Sequence, residues 1–180
     1  CLALHNHNSN IYSYVVSAGL IYGLGENQLF NYFKKALEQA EKIKVFGTGA
    51  NKIPTIHIED LCSLVYKVAF EHPVEKYHFA VDHSEITQKD LVECVAKNLG
   101  NGEFDIVPVE QAFLETNYDL MTLNLTVENK PELEEWKCKE GFLENIDNVI
   151  SEFNTYRGLK PNKIMIIGPP CSGKSKFSEK

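Results

Sequence analysis

The stretch VFGTGANKIPTIHIEDL, residues 45–61, sets the pattern for most of the chain. It opens on the end of a short apolar run and passes through Gly47-Thr-Gly49, a sequence typical of a tight turn. Thr55 to Ile58 then has the β-branched composition of a buried strand. The apolar residues that follow recur at helical spacing, at Leu61, Leu64, Val65, Val68 and Ala69. The stretch therefore predicts a turn, a strand and a helix in direct succession.

The same alternation extends in both directions. Strands are predicted for Ser13–Leu20, Lys44–Phe46, Tyr77–Val81 and Asp105–Val109, and a helix for Gln28–Lys42. Such alternation favours an α/β sheet with helical crossovers. The acidic stretch from about 110 to 140 gives no clear assignment.

Two further helices carry their own signals. Thr87 and Asp90 have the spacing of a capping box, which predicts a helix that ends at Gly100. A last amphipathic helix has Gly158 as its predicted C-terminal end, and its apolar face consists of Phe142, Ile146, Val149, Ile150 and Phe153.

Composition narrows the range of functions. The chain has 180 residues, is 43% hydrophobic and carries a formal net charge of -7. Proteins that bind nucleic acid are usually basic, so the negative charge argues against a nucleic-acid-binding surface. No apolar run reaches the roughly 18 to 20 residues that span a membrane. Five widely spaced cysteines indicate reduced thiols and a cytoplasmic compartment. Because the chain begins with Cys1, we expect it to be a piece of a longer protein.

Residues 163–180, KIMIIGPPCSGKSKFSEK, contain a phosphate-binding pattern. Gly168 to Ser175 fits Gly-x4-Gly-Lys-[Ser/Thr], and KIMII supplies the strand that such a loop requires before it. Glycines allow backbone N–H groups to point at phosphate oxygens, and the following helix adds its positive N-terminal end. Lys174 is expected to reach the β- and γ-phosphates, and Ser175 to bear on a magnesium ion. A chance glycine-rich turn of this form is expected on the order of one percent of the time.

The narrower pattern Gly-Pro-Pro-x-Ser-Gly-Lys resembles the first loop of adenylate kinases. The resemblance implies phosphoryl transfer between ATP and AMP with Mg²⁺, and Lys174 as the catalytic residue. It assigns ATP binding to Gly168, Pro169, Pro170, Cys171, Ser172, Gly173, Lys174, Ser175 and Lys176. Cys171 stands where that family commonly has glycine or alanine, and Lys176 replaces a threonine that contacts phosphate. The chain's one arginine, Arg157, precedes the loop, so we expect this stretch alone to be inactive as a kinase.

Residues 12–157 resemble the C-terminal half of extended short-chain dehydrogenases, a family that includes sugar-nucleotide epimerases. The resemblance rests on VVSAGLIYGLGEN, then FGTG, then PTIHIEDL, then GFLENI, in the order in which that family has them. The family's glycine fingerprint and catalytic tyrosine–lysine pair lie upstream of this region. Where the family has Arg-Pro, this chain has Ser17-Ala18. We therefore expect a Rossmann-like domain without redox activity, for which NAD(P) is an improbable cofactor.

The remaining candidate residues favour structural roles. The two Gly-x-Gly turns lack the third glycine of a cofactor loop, and His57 stands at a strand-to-helix junction. His5 and His7 lack further ligands at metal-site spacing. Trp136 lies among Glu132, Glu134 and Glu135, which predicts a solvated face with the tryptophan as a docking point for a partner.

The whole arrangement resembles the multidomain adenylate kinases of motile cilia and flagella. It divides the chain into a degenerate dehydrogenase- or epimerase-like domain at 1–158, a linker at 159–162 and the start of a kinase domain at 163–180. The resemblance implies a cytoplasmic protein of the ciliary axoneme whose partners are adenine nucleotides and axonemal proteins. Two alternatives stay open: a scaffold without enzymatic activity, and an NAD(P)-dependent epimerase or reductase.

Overall fold

The computed structural model describes residues 11–26, 28–39, 41–114, 121–127, 136, 138 and 140–159. Six short strands are paired as three two-stranded parallel sheets within these ranges. Strand β1 (Val15–Ala18) pairs with β5 (Tyr77–Ala80), β2 (Leu20–Tyr22) with β4 (Thr55–His57), and β3 (Ile43–Phe46) with β6 (Phe104–Val107). The helices are α1 (Phe30–Glu38), α2 (Ile58–Glu71), α3 (Gln88–Leu99) and α4 (Ile146–Leu159), with a 3-10 helix at Val109–Leu114. The predicted α/β class is confirmed.

The first predicted strand is two strands in the structure. Gly19 separates β1 from β2, and a Cβ at this position would lie 2.6 Å from the carbonyl oxygen of Pro54. The Gly19 amide donates to Ala80, and the next amide, that of Leu20, donates to Pro54. The chain therefore changes partners from β5 to β4 at the one residue type that fits there.

Helix boundaries follow local chemistry. The capping box at the start of α3 is confirmed, because the Thr87 hydroxyl accepts from the Asp90 amide at 3.1 Å and the Asp90 carboxylate accepts from the Thr87 amide at 2.9 Å. Helix α1 is shorter than predicted: its last residue is Glu38, and the following residue, Gln39, caps it in a left-handed conformation. The prediction that Gly158 ends the last helix is wrong, since α4 continues through it to Leu159. A glycine in the last turn costs about 1 kcal/mol relative to alanine and does not by itself stop a helix.

Two apolar clusters hold these elements together. The larger one joins α1, β3, α3 and α4 around side chains such as Val45, Leu91 and Phe142. The smaller one lies between α2 and the strands β4 and β5, around Ile56, Leu64 and Ala80. Tyr22, at the end of β2, is fully buried in the larger cluster and meets the ring of Phe142 edge to face. The carboxyl ends of β2 and β4 are thereby fixed against the last helix and the segment before it.

Candidate functional site

The predicted ATP-binding residues, Gly168 to Lys176, lie outside the residues that the structure describes. The predicted linker 159–162 is described only at its first residue, which ends α4. His5, His7, Glu132, Glu134 and Glu135 also lie outside the described ranges. The assignments made to all of these residues therefore remain predictions.

His57 caps helix α2 and ties it to helix α4. Its Nδ1 accepts a hydrogen bond from the Glu59 amide at 3.2 Å, and its Nε2 lies 3.2 Å from Oε2 of Glu152. The same carboxylate oxygen accepts from the Leu24 amide at 2.9 Å. With only 3% of its surface exposed, His57 is occupied on both ring nitrogens by the protein itself. The predicted structural role of this histidine is confirmed.

The Gly23–Gly25 turn closes over this junction. Gly23 has a φ of +92°, and a Cβ there would lie 2.2 Å from Nε2 of His57. Gly25 has a φ of +74°, and a Cβ there would lie 2.4 Å from the ring of Tyr156. Gly47 and Gly49 in the second predicted turn also have positive φ. Both Gly-x-Gly sequences are thus tight turns, as predicted, and the first packs directly against α4.

A buried carboxylate, Asp82, gathers four hydrogen bonds just beyond strand β5. Its Oδ2 accepts from the Thr55 hydroxyl at 2.7 Å and from the Tyr22 hydroxyl at 3.4 Å. Its Oδ1 accepts from the amide of Ser84 at 3.0 Å and from the hydroxyl of the same residue. The single Tyr22 hydroxyl proton is shared with the carbonyl oxygen of Glu140, which lies 3.2 Å from the hydroxyl oxygen. This network joins the last residue of β2, the first residue of β4 and the residues after β5 to the segment that precedes α4.

Burial controls the protonation of this network. It raises the pKa of Asp82, although hydrogen bonds from Ser84, Thr55 and Tyr22 act in the opposite direction. Burial, followed by the charge of Asp82, also raises the pKa of Tyr22. Nearby, Cys138 donates to the carbonyl of Val81 at 3.3 Å, and burial raises the pKa of its thiol to about 12. Burial therefore favours the neutral form of both the Tyr22 hydroxyl and the Cys138 thiol.

A cavity of about 280 Å³ opens beside Ser17-Ala18, the position of the family's Arg-Pro. Lys52 is the one charged side chain among its lining residues, and its ammonium pairs with Glu85. The other lining residues are mostly apolar, for example Ile53, Phe79 and Leu125. The cavity therefore presents little that would hold a phosphate group.

Two further residues singled out in the sequence, Trp136 and Arg157, lie on or against helices. The indole N–H of Trp136 donates to the Ser63 hydroxyl at 2.9 Å, so the tryptophan packs against α2. Arg157 is exposed on α4. Within the described ranges, no three His, Cys, Asp or Glu side chains are grouped to hold a metal ion, and no helix combines the length and apolarity needed to cross a membrane.

Sequence reasoning missed Asp82 and Glu152. Asp82 had a usable signal, because a carboxylate placed just after a predicted buried strand lies at a sheet edge with other strand ends. Glu152 had none, since it lies 95 residues from His57 and 128 from Leu24. Contacts between residues so far apart in the sequence depend on the tertiary fold.

Two solved structures with a similar fold are a nucleotide-sugar dehydratase and a nucleotide-sugar epimerase. A dTDP-glucose 4,6-dehydratase from Bacillus anthracis in complex with NAD aligns with a TM-score of 0.66 at 18% identity, covering 88% of this chain and 51% of that chain. A UDP-glucose 4-epimerase from Thermotoga maritima with UDP-glucose aligns with a TM-score of 0.66 at 14% identity, covering 88% and 50%. The described domain thus has the Rossmann-like fold of these proteins, as the sequence predicts.

Sequence comparison identifies longer relatives. No family model matches the chain. Proteins named adenylate kinase 7 from Macaca fascicularis and Mus musculus are each 40% identical to it over 177 residues. The chain spans about a third of their length, 33% and 29% respectively. Over 93% of its own length the chain therefore resembles adenylate kinase 7, which confirms the resemblance to a multidomain adenylate kinase that the sequence predicts.

Proposed function

We propose that this chain is a portion of an adenylate kinase, which converts ATP and AMP to two ADP, and that residues 163–180 begin its kinase domain. The observation that carries the proposal is the 40% identity to adenylate kinase 7 over 93% of the chain. The phosphate-binding pattern at 168–175 supports it independently. In this proposal residues 1–180 by themselves are not a competent kinase.

The proposed chemistry is positioning and charge neutralisation. Backbone amides from Gly168 to Ser175 would surround the phosphates of ATP, and Lys174 would neutralise charge on the transferring group. Ser175 would bear on the Mg²⁺ that accompanies ATP. Lys176 places a cation where adenylate kinases have a hydroxyl, which exchanges a hydrogen bond to phosphate for a charge.

Residues 1–158 form a non-catalytic structural domain in this proposal, the C-terminal part of a degenerate dehydrogenase- or epimerase-like fold. His57, Asp82 and Tyr22 are all committed to internal hydrogen bonds. The chain's one tyrosine with a lysine four residues later, Tyr156, belongs to α4 and packs against Gly25. These internal contacts support a structural role for the four residues, and NAD(P) is not proposed as a cofactor.

The cellular setting rests on the predicted resemblance to ciliary adenylate kinases. We place the protein in the cytoplasm and at the axoneme of cilia and flagella, where it would interconvert adenine nucleotides beside ATP-consuming motors. Axonemal proteins would be its macromolecular partners.

The kinase proposal is tested on the full-length protein with a coupled assay for ADP formation. Lys174→Ala is expected to lower kcat at least about 100-fold, because it removes the charge that stabilises the transferring phosphoryl group. Lys180→Ala, a lysine outside the loop pattern, serves as the matched control and should retain activity. Equal activity of the wild type and Lys174→Ala would contradict the assignment of this loop.

An inert scaffold is the first alternative, motivated by Cys171 and Lys176. Calorimetry of the full-length protein with Mg-ATP separates the two proposals. The scaffold requires no heat of binding, together with partner capture by the first domain. A measurable ATP affinity that Lys174→Ala abolishes would exclude it.

An NAD(P)-dependent epimerase or reductase is the second alternative, and the fold shared with NAD-bound dehydratases gives it weight. It requires a glycine fingerprint and a catalytic tyrosine–lysine pair in the polypeptide outside this chain. Titration of the full-length protein with NAD⁺ and NADP⁺ by calorimetry tests it directly. We expect no binding at millimolar cofactor.

A further inference from the structure

The cavity of about 280 Å³ lies at the carboxyl ends of strands β1 and β5. Ser17 in β1 and its register partner Phe79 in β5 line it, together with Val81, which follows the last residue of β5. In open α/β sheets, ligands bind in the crevice outside the carboxyl ends of the strands. The cavity therefore occupies the part of the sheet at which a small-molecule site is expected.

The wall of this cavity is mostly apolar and partly open to solvent. Phe79, Leu123 and Leu125 line it while they are 44%, 50% and 48% exposed. Ile53 and Val81 form a buried part of the wall. Large apolar side chains that stay half-exposed around one cavity gain free energy when an apolar molecule displaces the water that covers them. The composition of the wall therefore favours an apolar ligand.

The charges around the cavity disfavour an anionic ligand. Lys52 is the one charged side chain among the described residues of its wall, and its ammonium pairs with Glu85. A second cavity of about 220 Å³ shares Lys52 and Leu125 with the first, and Asp82, His83 and Glu85 also line it. A ligand anion would therefore meet two carboxylates, an imidazole and a cation that is already paired. Its desolvation would cost free energy that these groups do not return.

We propose that this cavity binds a small, uncharged molecule with an aromatic or branched aliphatic body, a ligand class different from nucleotide sugars. UDP-glucose, which the Thermotoga maritima epimerase holds, carries a diphosphate, to which this wall offers one paired lysine. Ligand pockets span about 300–1,000 Å³, so a cavity of about 280 Å³ takes only a small ligand. The first domain thereby has a binding role in addition to its proposed structural one.

Two fluorescent probes, titrated into the full-length protein, test the ligand class. N-phenyl-1-naphthylamine and 8-anilinonaphthalene-1-sulfonate share one aromatic skeleton, but only the second carries a sulfonate. We expect saturable binding of the uncharged probe and an affinity at least about tenfold lower for the anionic probe, because the sulfonate meets no unpaired cation in the described wall. An excess of UDP-glucose should leave the uncharged probe bound. Displacement by UDP-glucose, equal affinities of the two probes, or no saturable binding would each overturn the proposal.

Substitutions in the wall locate the binding site. Ser17→Trp fills the cavity with a residue type that strands accept, and it should lower the affinity for the uncharged probe at least about tenfold. Val74→Trp places the same side chain at an exposed position outside the wall and should bind the probe as the wild type does.

Leu125→Gln provides a second variant, because Leu125 is half-exposed and its replacement by a polar side chain of similar size leaves the core intact. It should weaken probe binding about threefold through the loss of apolar contact area. Wild-type affinity in Leu125→Gln, or in Ser17→Trp that is folded by circular dichroism, would overturn the proposal. Neither readout involves the phosphate-binding loop, so the result is independent of the kinase assignment.

Discussion

One carboxylate oxygen of Glu152 connects helix α4 both to the turn after β2 and to the histidine that caps α2. Its Oε2 lies 2.9 Å from the Leu24 amide and 3.2 Å from Nε2 of His57. Replacing Glu152 with alanine leaves both groups without this partner in a mostly buried site. We expect the free energy of unfolding to fall by about 1–3 kcal/mol, measured as a shift in the urea midpoint at constant m-value.

Two variants check this interpretation of Glu152. Glu152→Gln keeps an oxygen that accepts from Leu24, so its loss should be smaller than that of Glu152→Ala. Glu93→Ala removes an exposed pair with Lys89 at 3.5 Å and should change the free energy by less than about 0.5 kcal/mol. A loss for Glu152→Ala no larger than that for Glu93→Ala would mean that the junction contributes nothing.

The buried carboxylate of Asp82 should make the free energy of unfolding depend on pH, and the direction of that dependence follows from its pKa. Burial raises its pKa in the folded protein, so the folded state binds this proton more tightly than the unfolded chain does. Its contribution to the free energy of unfolding is therefore largest below the unfolded pKa of about 3.9, falls as pH rises through the raised folded pKa, and is constant above it. The slope is at most about 1.4 kcal/mol per pH unit.

Asp82→Asn isolates that contribution, because the other titrating groups cancel in the difference. The stability of the wild type minus that of Asp82→Asn should decrease between pH 4 and the folded pKa, in urea unfolding at a series of pH values. A difference that increases with pH over this range would show that the hydrogen bonds from Thr55, Ser84 and Tyr22 outweigh burial.

At the scale of elements, the turn after β2 is fitted to helix α4. Gly25 and Gly102 both have positive φ, +74° and +83°, but only Gly25 has neighbours where a Cβ would lie. Gly102→Ala should therefore cost about 1–2 kcal/mol from backbone strain alone. Gly25→Ala should cost clearly more, because Cβ also meets the Tyr156 ring, and thermal unfolding of the two variants gives the comparison. Equal losses of stability in the two variants would mean that α4 can move away from the new Cβ at no cost in free energy.

Elements specified by neighbouring residues are the ones that the sequence predicts well. The start of α3 follows from Thr87 and Asp90, which are three residues apart and satisfy each other's backbone amides. The junction of β4 and α2 follows from the apolar spacing after His57. The sequence does not predict that α1 ends at Glu38, because the left-handed cap after it is Gln39, and a left-handed residue other than glycine or asparagine gives little signal.

The pairing of strands, in contrast, depends on residues that are far apart in the sequence and is not predicted by local patterns. The alternation of strands and helices predicts parallel sheets, but not that β1 joins β5 while β2 joins β4. That exchange at Gly19 depends on Pro54 and Ala80, which are distant in sequence. The same limit applies to the site: His57 was recognised from its place at a junction, whereas its partner Glu152 is fixed only by the packing of α4.

At the scale of the whole molecule, the proposed boundary at 159–162 has a measurable consequence. If residues 1–158 and the kinase domain are separate units, damage to the core of the first should leave nucleotide binding by the second unchanged. Leu91 is fully buried among α1, β3 and α4, and Leu91→Ala should lower the stability of the first unit by about 2–5 kcal/mol. In calorimetry of the full-length protein, the unfolding transition of that unit moves to lower temperature.

Mg-ATP provides the reciprocal half of this experiment. At a concentration of 100 times Kd it should stabilise only the kinase transition, by about 2.7 kcal/mol, and Lys174→Ala should abolish that shift while leaving the first transition in place. The Kd for ATP measured with Leu91→Ala should match that of the wild type, and Lys34→Ala, an exposed position on α1, controls for nonspecific effects. A tenfold loss of ATP affinity in Leu91→Ala would contradict separate units, because packing inside the first domain would then be coupled to the phosphate-binding loop through α4.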